Sequence, residues 1–73
     1  MENIKIVIEY REDDVVVTFY NNRKYTHFII VDTVETDVAG WLNLRVAGNL
    51  VSIINVDFLN AELEIVGIEN DKS

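Results

Sequence analysis

The chain has 73 residues, thirteen acids against six bases for a net charge of −7, one histidine, no cysteine and no proline. That length makes one domain, of a size that buries roughly 60% of its unfolded surface and is only marginally stable. The composition excludes disulfides and a four-ligand zinc site as stabilisers, and it disfavours a surface that binds phosphates as a whole, which needs clustered Lys and Arg.

Twenty residues are Val or Ile, four are Thr and only three are Ala. β-Branched side chains pack well on a pleated surface, so the chain is built for sheet. The first strand is expected over Ile4–Tyr10, where Ile4, Ile6, Ile8 and Tyr10 alternate with Lys5, Val7 and Glu9. The turn Arg11–Asp14 follows, then a second strand over Val15–Tyr20. With Glu12 and Asp13 in the loop, Ile8 faces Val17 and Ile6 faces Phe19, which makes one face apolar.

Asn21–Lys24 forms the next turn, since Asn tolerates the positive φ of a tight hairpin. A loop centred on Asn22-Arg23 pairs Tyr20 with Tyr25, Val17 with Phe28 and Val15 with Ile30. The core face then carries Ile4, Ile6, Ile8, Tyr10, Val15, Val17, Phe19, Phe28 and Ile30. Lys5, Val7, Glu9, Val16, Thr18, Tyr20, Tyr25, His27 and Ile29 fall on the other, wetter face.

Asp32–Gly40 reads as a longer connection, with Gly40 supplying a special backbone angle. Strands over Trp41–Val46 and Leu50–Val56 follow. A Gly48-Asn49 turn between them pairs Val46 with Val51 and Leu44 with Ile53, leaving Trp41, Asn43, Arg45, Ser52, Ile54 and Val56 outward. The segment from Asn55 to Glu69 has two readings. As a helix over about 57–66, Asp57 caps it and Gly67 ends it. As a turn at Asp57–Asn60 followed by a sixth strand, Ala61, Leu63 and Ile65 alternate with Glu62 and Glu64. The β-branched run Ile65, Val66, Ile68 favours the strand.

The fold expected is therefore all-β: a small antiparallel meander or barrel of about six short strands, spanning 1–68, with a flexible tail over 69–73. α+β with the C-terminal helix is the alternative. From Trp41 to Glu69 the order of tight hairpin, single helical turn and closing strand resembles the small Src-homology-3-like and Sm-like barrels. The resemblance is topological. It implies the barrel and carries over no functional residue, because such scaffolds host unrelated functions.

Chemistry is sparse. His27 lacks an orienting carboxylate, and the only serines are Ser52 and Ser73, so no nucleophile–base pair forms. Glu62 and Glu64 share an outer strand face with nothing to bury one and split their pKa values. The Glu12-Asp13-Asp14 loop lacks the spaced ligands and glycine of a calcium loop, and three scattered glycines make no phosphate cradle. The expectation is no enzyme, no metal and no cofactor.

Binding is the expected role. An outward Trp41 beside Ile54 and Val56 makes an interface candidate, since Trp is enriched at interfaces. Val16 and Ile29 are the alternative seam. Several strands are apolar on both faces, which one layer cannot cover, so a homo-oligomer is expected, a dimer first, with a protein partner. A second reading is an acidic mimic of nucleic acid that inhibits a nucleic-acid-binding protein, of the kind phages encode against host defence, acting through Glu12, Asp13 and Asp14. A third is a small RNA- or DNA-binding barrel using Tyr20, Arg23, Lys24, Tyr25 and His27, where bases stack on rings. The net charge makes nucleic acid the weakest of these partners. The sequence start MENIKIVIEY is not a signal peptide, and no apolar run reaches membrane length. A cytoplasmic location is the default expectation.

Overall fold

The computed structural model describes residues 3–67. The tail expected over 69–73 lies outside them. The described residues form seven strands and one helical turn: β1 Ile4–Tyr10, β2 Val15–Asn21, β3 Lys24–Val31, β4 Thr33–Thr36, β5 Trp41–Val46, β6 Asn49–Asn55, α1 Val56–Leu59 and β7 Glu62–Gly67. They make two sheets, one ordered β3-β2-β1-β7 and the other β4-β5-β6. The protein is thus all-β, and its sheets do not close into a barrel.

The first hairpin follows its alternation. Ile6 faces Phe19 and Ile8 faces Val17, and the amide of Arg11 closes the turn onto the carbonyl of Asp14 at 2.9 Å. The second hairpin turns on Asn22 and Arg23, with φ of 54° and 70°. Two successive left-handed residues match the strand twist of a tight hairpin, and Tyr20 meets Tyr25.

Beyond that pair β3 departs from the expected register. Thr26 is an extra residue, so Phe19 faces His27, Thr18 faces Phe28, Val17 faces Ile29 and Val15 faces Val31. A one-residue shift moves every later side chain to the opposite face. Ile29 and Val31 therefore point inward, whereas Phe28 and Ile30 point outward and are half exposed. His27 also changes face: it stacks on Phe19, with centroids 4.4 Å apart.

The connection after β3 contains a strand. Asp32 alone separates β3 from β4, which pairs with β5 through Val34 and Leu44. The Asp32 carboxylate accepts a hydrogen bond from the Ala47 amide at 2.6 Å, tying this corner to the β5–β6 turn. That turn is Ala47-Gly48, both with positive φ, one residue earlier than Gly48-Asn49. Val46 accordingly meets Asn49, and Leu44 meets Ser52 rather than Ile53. Val51 is the extra residue of a second bulge between them. Ile53 faces Asn43 on the outer surface, and Ile54 faces Leu42 on the inner one.

One helical turn leads to the last strand. The Asn55 side chain, rather than Asp57, caps it by accepting from the Phe58 amide at 2.9 Å, and Asn60 ends it in the left-handed region. The chain then runs as β7 parallel to β1, so the meander is not wholly antiparallel, with Leu63 beside Ile6 and Ile65 beside Ile8.

The core lies between the sheets. Ile6, Ile8, Val17, Val31, Leu42 and Leu44 are its fully buried side chains, each contributing about 1.5–3 kcal/mol by leaving water. Val16, on the opposite face of central β2, is also buried. Ile54 and Val56 pack against the inner cluster.

Candidate functional site

Of the sequence-derived seam, Trp41 and Ile54 line one groove, whereas Val56 is absent from its lining. Strand β5 turns Leu42 and Leu44 inward, which turns Trp41 out, 40% exposed. Ile54 and Val56 pack on the core. The alternative seam fails, since Val16 is buried and Ile29 packs inward.

A larger set gathers around Trp41. The β6 bulge puts Ile53 on the outer face, and the capped turn of α1 extends Phe58 and Leu59 beside it. With Ile54 and Asn55 these residues line a groove of about 510 Å³. Phe58 is 86% exposed, Ile53 52% and Leu59 41%. Together with Trp41 they expose on the order of 400 Å² of apolar surface, about half of what one partner buries in a standard protein interface. Phe58 and Leu59 were missed from sequence. An apolar pair beside a helix cap whose turn ends after four residues was the available signal.

Backbone hydrogen bonds hold the groove's wall. The Asp37 carboxylate accepts from the amides of Ala39 at 2.9 Å and Trp41 at 3.1 Å, and the Val56 amide donates to the Gly40 carbonyl at 2.8 Å. Gly40 has φ +88°, and a Cβ there would strike the Asp57 side chain. Trp41 is thus fixed at its main chain at the start of β5.

A second apolar patch lies on the outer face of the larger sheet. Phe28 and Ile30, turned outward by the bulge, are 50% and 49% exposed. They stand opposite Thr18 and Val16 on the neighbouring strand.

The charged candidates are dispersed. Arg11 grips Asp14 with two hydrogen bonds, Nε to Oδ1 at 2.7 Å and Nη2 to Oδ2 at 2.8 Å. That pairing holds the Asp14 carboxyl below its ordinary value, and it leaves Glu12 and Asp13 as the loop's exposed, unpaired acids. Lys5 donates to Glu64 at 2.7 Å, and Arg45 meets Glu35 at 3.2 Å. Among the described cations only Arg23 and Lys24 have no carboxylate partner.

The aromatic-basic patch is split. Tyr20 and Tyr25 meet edge to face, with centroids 6.3 Å apart, but His27 lies on the opposite face against Phe19. The cleft beside Tyr20 and Arg23 is also lined by Glu62 and Glu64, which oppose a phosphate. Among the described residues no group of three or more acids and His could hold a metal, and no helix is long and apolar enough to cross a membrane. No protein-family model, curated protein or solved structure matches the chain.

Proposed function

We propose that this chain is a non-enzymatic binding or assembly module that associates with its own kind and receives a protein partner in the Trp41 groove. The observation behind this reading is the groove itself: Trp41, Ile53, Phe58 and Leu59 stand together in water on a domain whose core is small. Monomers rarely leave large contiguous apolar patches open, and aromatic anchors in a pocket carry most of the energy in protein interfaces. The bonds at Asp37 and Gly40 fix the main chain at Trp41 in advance, which lowers part of the ordering cost of binding.

The acidic-mimic reading has one observation in its favour. Glu9, Glu12, Asp13, Asp32, Asp37, Asp57 and Glu62 have no ion-pair partner among the described residues, so most of the negative charge stays displayed. A photo-crosslinking side chain placed at position 58 or at position 13 in the native host separates the two readings. Specific capture of a partner from 58 and not from 13 is the outcome expected for the groove. Capture from 13 alone contradicts it and favours the mimic.

A further inference from the structure

Four of the described strands end a sheet, and three of them are bulged or short, which discourages edge pairing. β3 has the Thr26 bulge and begins at Lys24. β4 is only four residues long. β6 contains the Val51 bulge. Bulges, short length and charged side chains, lysine above all, are the usual protections of an open edge. β7 has only the charges of Glu62 and Glu64, and Glu64 is paired with Lys5 at 2.7 Å. The strand runs in unbroken register from Glu62 to Gly67 along β1, it is exposed along its whole length, and one row of its backbone N–H and C=O groups faces away from β1.

The apolar content of β7 points the same way. Leu63 and Ile65 stand beside Ile6 and Ile8, which are 0% and 1% exposed, yet are themselves 37% and 60% exposed. The inner face of the sheet continues past its cover. Whatever pairs with β7 must be a strand with an apolar inner face, and β7 itself is such a strand.

We propose that β7 pairs antiparallel with β7 of a second copy, joining the two larger sheets into one across a two-fold axis centred on Ile65. This rests on the self-association reading above and assigns its seam. Charge and overlap together select the register: an axis through Val66 opposes no acids but pairs only Ile65–Gly67, whereas one through Ile65 pairs Leu63–Gly67. A two-fold axis normal to the sheet keeps inner faces together only when it passes through a residue. An axis through Glu64 sets Glu64 against Glu64, and one through Leu63 sets Glu62 against Glu64 twice; like charges directly opposite are destabilising. An axis through Ile65 sets Glu64 against the second copy's Val66, Leu63 against its Gly67, and Ile65 against Ile65. The contact is isologous and closes at two copies.

The chain has no cysteine, so single cysteines report the register. Opposed residues of an antiparallel pair have Cα atoms about 4.5–5.5 Å apart, within disulfide reach. Ile65→Cys, at a largely exposed position, should cross-link to its symmetry mate under mild oxidation. Leu63→Cys should not, because its mate lies four residues along the strand from the opposed position, roughly 14 Å. Hydrogen exchange needs no variant: in the wild-type chain, those amides of Leu63–Gly67 that face away from β1 should exchange more slowly at concentrations where the dimer forms. Cross-linking through Glu64→Cys in place of Ile65→Cys overturns the register. A wild-type dimer with neither Ile65→Cys cross-linking nor β7 protection overturns the seam while leaving self-association standing. A wild-type chain that stays monomeric overturns both.

Discussion

Thr26 donates its hydroxyl to the main-chain carbonyl of Phe19 across 2.9 Å. The bond lies at the bulge, where the extra residue interrupts the ladder between β2 and β3. It gives the Phe19 carbonyl a side-chain partner, and the strand beyond it is turned over.

This fixes the costs of substitutions along β3. Phe28→Ala should cost well under the roughly 3–5 kcal/mol typical of a fully buried Phe, because half of Phe28 is already in water. Val31→Thr, nearly isosteric at a buried site, should cost about 1–3 kcal/mol for a buried hydroxyl. Denaturant midpoints measure both, and a Phe28→Ala cost in the full buried range with a negligible Val31→Thr cost would mean that β3 is in the unbulged register.

Both tight hairpins hold one residue ill suited to its backbone. Arg23 sits at φ 70° beside Asn22, and Ala47 at φ 53° before Gly48. Asn-Gly is the preferred pair for two successive left-handed residues. Arg23→Gly and Ala47→Asn each complete that pair, and each should raise stability by about 0.5–1 kcal/mol, relieving part of the left-handed cost of an L residue. Thermal melts check this, and a loss of stability in both variants would contradict the turn assignment.

Gly67 behaves differently from Gly48. Both have positive φ, but a Cβ at Gly67 would collide with the Tyr10 backbone, whereas one at Gly48 meets nothing. Gly67→Ala should destabilise by more than about 1 kcal/mol through strain at φ +89° plus displacement of β7 from β1. Gly48→Asn should be milder, since Asn tolerates this region best of the residues with a Cβ.

The exposed ion pairs titrate in opposite directions. The hydrogen bond from Arg11 depresses the Asp14 pKa, so its contribution is present above about pH 3.9, the unfolded value. That contribution is lost as pH falls through the lower folded pKa. The hydrogen bond to Glu64 raises the Lys5 pKa, so its contribution is full below about pH 10.4 and is lost as pH rises through the folded value. Asp14→Asn should therefore converge with the wild type in strong acid, and Lys5→Met in strong base. Both differences should shrink at about 1 M salt, where screening reaches roughly 3 Å. A pH-independent offset would assign these residues a role other than the ion pair.

How much was legible follows from pattern. The β1–β2 register was readable because polar residues alternate with Ile4, Ile6 and Ile8, so only one pairing makes a face apolar. The β3 register was not, because Phe28, Ile29, Ile30 and Val31 are apolar at every position and either phase looks buried. The bulges at Thr26 and Val51 add a residue without leaving a compositional mark. Strand β4 was hidden because Thr33–Thr36 is short and its neighbours are acids. At the candidate site, Trp41 was found by type. Its further neighbours depend on the β6 bulge, which adds Ile53 beside Ile54, and on the capped turn that brings in Phe58 and Leu59.

The domain is proposed to associate with a second copy of itself through its open sheet edge. Light scattering on the wild-type chain at micromolar concentration should show a species of about twice 8.4 kDa, dissociating on dilution. A single 8.4 kDa species at every concentration would contradict the association.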